Sequence, residues 1–227
     1  VDNSDGTPTL TLVVGSTNRT ATYASGSGSS MLVFQYTIQS GENDSDGISI
    51  EADALALNSA ILSDPIGFPA VITHSAVSAN SSYLVDAQAP PVISFHLTDT
   101  ALKVGETATV ILVFAEAVVS FSSSDDITVS NGSLDNMIST DDNKTWTGTF
   151  TPTPNTEDAT NTLSLGTSYT DTAGNTGAAA TTANYEVETL APTISGVAIS
   201  SATGVQNNFV NAGDVVSVTA TFSESVI

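Results

Sequence analysis

Carboxylates are the side chains with chemistry to offer in this sequence. Glu42, Asp44 and Asp46 stand at alternate positions before Gly47. Calcium takes about six to eight oxygens from carboxylates, carbonyls and Asn side chains, and a tight turn can aim alternate acids at one centre. The run has the spacing of the start of a calcium loop, but Asp53 stands where a bidentate Glu would close one. Further acids sit in adjacent pairs at Asp125-Asp126, Asp141-Asp142 and Glu157-Asp158. Two carboxylates can hydrolyse a glycoside, yet neighbouring acids in turn-rich segments are ordinarily solvated loop residues. The histidines, His74 and His96, lie in unrelated contexts, and no Gly-x-Ser-x-Gly elbow occurs, so a serine triad has no support. We expect no enzyme here.

Charge narrows the partners. The 227 residues include 24 acidic against 3 basic, for a net charge of −21. Arg19, Lys103 and Lys144 are the whole basic inventory. Nucleic acid needs clustered Lys and Arg, and so do anionic membrane surfaces and phosphate cradles, so all three are excluded. There are no cysteines, which removes disulfides, thiolate metal sites and Cys nucleophiles. The chain is nonetheless expected to fold: 40% of it is hydrophobic and only 12% is charged. No apolar run approaches the roughly 18 residues of a membrane span, so no membrane insertion is expected. The sequence opens on Val1 without a leader, as a mature chain or a fragment would. Five Asn-x-Ser/Thr sequons, at Asn18, Asn43, Asn80, Asn131 and Asn143, are the number that chance supplies in a Ser/Thr-rich chain, and no glycosylation is assigned.

The elements that must position the acids are strands. Ala108, Val110, Leu112 and Phe114 alternate along one face of Thr107 to Phe114. Trp146, Gly148 and Phe150 alternate with three threonines, and Leu32, Phe34, Tyr36 and Ile38 repeat the pattern. Gly, Asn, Asp and Ser clusters separate these runs, and no segment keeps a helical period. The expected fold class is all-β, as antiparallel sandwiches. One passage also occurs twice. Val85-Asp86-Ala-Gln-Ala89-Pro90, Gly105-Glu106 and Phe114-Ala-Glu116-Ala-Val118 return as Val187-Glu188-Thr-Leu-Ala191-Pro192, Gly213-Asp214 and Phe222-Ser-Glu224-Ser-Val226. A weaker match links the stretch around Tyr169, Asp171, Gly174 and Asn175 to Leu62, Asp64, Gly67 and Phe68. The expected domains are therefore 1–86, lacking its first two strands, a complete sandwich over 87–188, and 189–227, the first two strands of a further one. Ile227 read on into Val1 continues strand B into strand C.

These passages, with Thr145-Trp146-Thr-Gly-Thr-Phe150-Thr-Pro152 and Tyr169-Thr-Asp171-Thr-Ala-Gly174-Asn175, resemble bacterial immunoglobulin-like repeats of large calcium-dependent surface adhesins, of the biofilm-associated and RTX type. The resemblance covers nearly all of 85–188 and, more loosely, 1–84. It implies secretion to the bacterial cell surface, a seven-stranded sandwich, and calcium at domain junctions.

Sandwich topology says which acids meet. Strands alternate direction, so the start of strand A, the B–C loop and the F–G loop share one end. For 87–188 these carry Asp86, Glu116, Asp171 and Asn175. Glu42, Asp44 and Asp46 of the preceding domain are expected to face them. By the same argument Glu157, Asp158, Glu188 and Glu224 should meet at the next junction, with Asp64 supplied by whatever completes that domain. Crowded carboxylates repel unless a cation lies among them, so Ca²⁺ is the expected cofactor. The expected role is a calcium-rigidified spacer in an adhesin or fibre, whose partners are further copies of the repeat, head-to-tail. The alternative is a subunit of an extracellular filament, sheath or surface layer joined by strand complementation. A carbohydrate-binding module would need an aromatic platform, and the single Trp, Trp146, is expected to point into the core.

Overall fold

The computed structural model describes residues 1–227, and almost every regular element in it is a strand. Residues 1–86 carry β1 (Thr9–Val14), β2 (Thr17–Ser25), β3 (Val33–Gln35), β4 (Asn43–Asp44), β5 (Leu55–Ala56) and β6 (Val85–Asp86). The middle of the chain carries β7 (Val92–Leu97), β8 (Ala101–Lys103), β9 (Ala108–Phe114) and β10 (Val118–Val119). One helical turn, α1 (Ser123–Asp126), precedes β11 (Ile127–Thr128), β12 (Gly132–Leu134), β13 (Ile138–Ser139) and β14 (Thr145–Pro152). There follow β15 (Glu157–Asn161), β16 (Ser164–Leu165), β17 (Thr170–Asp171), β18 (Ala180–Thr181) and β19 (Tyr185–Glu188). The last two are β20 (Ile194–Ala202) and β21 (Val216–Phe222).

The sandwich forms around β9, because its even alternation places four apolar side chains on one pleat face. Ala108, Val110, Leu112 and Phe114 are all buried. β9 lies inside a sheet ordered β12-β14-β9-β7, with β13 also on β14. The opposing layer is assembled from shorter ladders, β11-β16-β18, β15-β19-β8 and β10-β17. Side chains from both layers close one cluster of 17 buried residues, all between Phe95 and Val187. Phe150 packs edge-on against Tyr185 with ring centroids 5.1 Å apart, and Phe114 tilts against Tyr169 at the same separation. Both tyrosines are fully buried, and each hydroxyl finds a backbone carbonyl: Tyr185 donates to Ser130 and Tyr169 to Ala178. Trp146 is half-buried, edge-on to Phe121, and its Nε1 donates to the Asn143 carbonyl. It offers no open stacking platform.

One pairing departs from the antiparallel rule. β8 runs parallel to β19, with Leu102 opposite Val187. The first strand of the sandwich therefore splits: β7 stays with β9, and after a turn β8 crosses to the facing layer. Leu102 is fully buried there, so the crossing is held by core packing that alternation alone does not predict.

The two ends of the chain lack such a core. Residues 1–86 form a sheet ordered β3-β2-β1-β5 and a separate β4-β6 ladder. Leu32, Phe34 and Tyr36 are only half-buried and Ile38 is exposed. β20 and β21 pair with each other along their length, and nearly every residue of the hairpin is exposed.

Candidate metal centre

Asp86, Glu116 and Asp171 come together, each offering a carboxylate oxygen within 4.8 Å of the others. Three different elements place them. Asp86 ends β6, which pairs with β4, so it belongs to the last strand of the first unit. Glu116 lies two residues beyond the end of β9, in the turn that leads to β10. β10 pairs with β17 so that Val118 faces Asp171, which carries Glu116 and Asp171 to the same end of the sandwich. The acid triple thus spans the junction, with one member on the first unit and two on the middle one.

The loop from Asp171 to Asn175 is built around its own first residue. Asp171 is 1% exposed, and its Oδ1 accepts the N–H groups of Ala173 and Asn175 at 2.8 and 2.9 Å. The Asn175 amide donates to Asp171 Oδ2 at 2.7 Å and to the Asp86 carbonyl at 3.1 Å, tying the loop across the junction. Gly174 takes φ +94°, which a residue with a Cβ adopts only with strain. Burial pushes the Asp171 carboxyl upward, but the Asn175 side chain and the N–H donors outweigh it and hold Asp171 below its ordinary value. Glu116 is the opposite case. Burial first, then the charges of Asp86 and Asp171, raise it, with Lys144 only partly compensating. In the cation-free protein the site therefore favours the protonated form of Glu116 more than water does. That stabilisation is full below the ordinary Glu value of 4.5 and is lost as pH rises through the raised folded value. At neutral pH three carboxylates repel at close range, which is what a divalent cation would relieve.

Other acids singled out by the sequence have partners of their own. Glu42 is buried, lies 2.5 Å from the Arg19 Nε, and accepts the Tyr36 hydroxyl and the Gln39 N–H. The tyrosine hydroxyl, then Gln39 and Arg19, hold it below its ordinary value despite burial. Asp44 is buried and accepts the N–H groups of Gly15, Gly47 and Asp46, so it organises a turn. Asp46 is exposed. The strand carrying Asn43 and Asp44 adjoins Asp86, but the acid triple includes none of Glu42, Asp44 and Asp46. Glu157 lies directly opposite Glu188 across the β15–β19 ladder. Asp158 accepts from the Thr160 N–H and from Asn131, and Glu188 accepts the Leu190 N–H. Glu224 is half-buried just past β21.

Asp64 repeats the Asp171 loop bond for bond. Asp64 Oδ1 accepts the N–H groups of Ile66 and Phe68, the Asp64 N–H donates to the Phe68 carbonyl, and the Gly67 N–H donates to the Asp64 carbonyl. Asp171 makes the same four bonds to Ala173, Asn175 and Gly174. Gly67 and Gly174 share φ +94°. The two loops are one motif, although the sequence match is loose, because an Asp that caps its own turn constrains backbone rather than neighbouring side chains.

Residues 86–187 match the family described as the bacterial Ig-like domain. The match supports a bacterial Ig-like repeat over that stretch, which coincides with the closed sandwich and its acid triple. No curated protein and no solved structure matches the chain. No helix is long and apolar enough to cross a membrane.

Proposed function

We propose that this chain is a structural segment of a bacterial surface adhesin or fibre, in which Ca²⁺ stiffens the junction between successive Ig-like units. The observation that carries the reading is the origin of the three carboxylates: Asp86 from the strand that closes the first unit, Glu116 and Asp171 from loops of the next. A cation held by all three cross-links the units and opposes bending at the Ala87–Pro91 connection. Calcium suits the donor set, since every nearby ligand is an oxygen: three carboxylates, the Asp86 carbonyl and, with its amide turned over, Asn175. The acidic surface fits a protein that works outside the cell, where calcium is plentiful. Ig-like domains of this family are in general structural rather than catalytic.

Spin labels at Thr20 and Thr149, both exposed and on opposite sides of the junction, test the mechanical role. Their distance distribution should be broad in chelator and should narrow on addition of Ca²⁺. A distribution that calcium leaves unchanged contradicts the stiffening role.

A further inference from the structure

The hairpin β20–β21 is a copy of the β7–β9 half of the middle sheet. β20–β21 matches β7–β9 not only in sequence but in register. Val92 pairs with Phe114 and, after a bulge, Ser94 pairs with Val113; Ile194 pairs with Phe222 and, after a bulge, Gly196 pairs with Thr221. The environments are opposite. Val110 is fully buried, whereas its counterpart Val218 is 67% exposed. Phe95 and Leu97 are buried, whereas Val197 and Ile199 are 71% and 74% exposed. In the middle sandwich, the free edge of β9 is taken by β14, and nothing takes the free edge of β21.

The counterpart of β14 exists in residues 1–86. β4 pairs with β6 as β15 pairs with β19, with Asn43 opposite Asp86 where Glu157 is opposite Glu188. Counting back from Asp44 and from Asp158 without a gap sets Leu32, Phe34 and Tyr36 against Trp146, Gly148 and Phe150. β3, which carries Phe34, is the outermost strand of its sheet, with β2 on one side and the other edge open. It stands to β2 as β14 stands to β12 and β13.

We propose that β21 of one copy adds antiparallel to the open edge of β3 in a second copy, so that the hairpin completes the sandwich begun by residues 1–86. The register follows from the middle sandwich. Thr149 opposes Thr109 there, so Gln35 of the second copy opposes Ser217, and Phe34 opposes Val218. Phe34 and Val218 then lie side by side on one face of a continuous sheet, and two open strand edges are consumed. The Asp64 loop of the second copy, the twin of the Asp171 loop, arrives beside Glu188 and Glu224, the counterparts of Asp86 and Glu116. The interface is heterologous: each copy gives a hairpin at one end and accepts one at the other, so the product is an open head-to-tail array. None of this needs the Asp86 metal centre, so its failure would leave that reading standing.

The natural absence of cysteine makes the test direct. The double variant Gln35→Cys/Ser217→Cys places both thiols at exposed positions of the whole chain. Under mild oxidation at rising protein concentration it should give a ladder of disulfide-linked dimers, trimers and longer species, about tenfold more than Gln35→Cys/Asn136→Cys. Adding Val218→Asp should abolish the ladder, with an unchanged far-ultraviolet spectrum since Val218 is exposed in the single copy. A monomer with an internal disulfide, a yield no greater than the control, or a ladder that survives Val218→Asp would overturn the proposal.

Discussion

Asp171→Ala should destabilise the middle sandwich by about 3 kcal/mol even without any metal. The carboxylate is 1% exposed, and its removal leaves the N–H groups of Ala173 and Asn175 and the Asn175 amide without their acceptor. For a domain of this size that loss corresponds to a fall in melting temperature of roughly 10–20 °C. The same change at Asp64 is the control. Asp64 makes the same backbone bonds but is exposed, so water replaces the lost acceptor and Asp64→Ala should cost less than about 1 kcal/mol. Denaturant titration of both variants checks the contrast. Equal losses would mean that burial does not set the strength of this loop.

Leu112→Ala should cost about 3 kcal/mol, because Leu112 is wholly buried between the two layers and its removal leaves a cavity. Val218→Ala, on the strand that copies β9, should change the stability of a dilute monomer by less than about 0.5 kcal/mol, since Val218 is already 67% exposed. Chemical denaturation at low protein concentration reads both. A large loss at Val218 in the monomer would mean that the hairpin packs against its own chain.

What the sequence reveals depends on whether a constraint is local. The alternation of Ala108, Val110, Leu112 and Phe114 is a property of one strand, and it locates the buried face correctly. The meeting of Asp86, Glu116 and Asp171 follows from strand direction and loop order, which an all-β reading supplies. Glu42 shows where such reading stops. Its spacing with Asp44 and Asp46 suggests a ligand loop, but Arg19 and Tyr36, from β2 and the β3 run, neutralise it. Those neighbours are brought in by sheet pairing, which spacing along the chain does not encode. The parallel seat of β8 beside β19 is hidden for the same reason. The likeness of the Asp64 and Asp171 loops is faint in sequence because the motif resides in backbone bonds to one side chain.

Melting of the wild-type chain and of Glu116→Gln, each in calcium and in chelator at neutral pH, tests whether Asp86, Glu116 and Asp171 form the proposed calcium site. The Glu116 carboxylate has no hydrogen bond to lose, and burial and the two neighbouring charges raise its carboxyl. Removing its charge should therefore raise the melting temperature in chelator. Wild type should gain several degrees with calcium, about 2.7 kcal/mol at a hundredfold excess over Kd, whereas Glu116→Gln should gain less than half as much. The wild-type gain should also shrink in acid, because burial and the charges of Asp86 and Asp171 make Glu116 take up its proton above its ordinary value. A wild type that calcium does not stabilise, or an equal gain in the two proteins, would contradict the account.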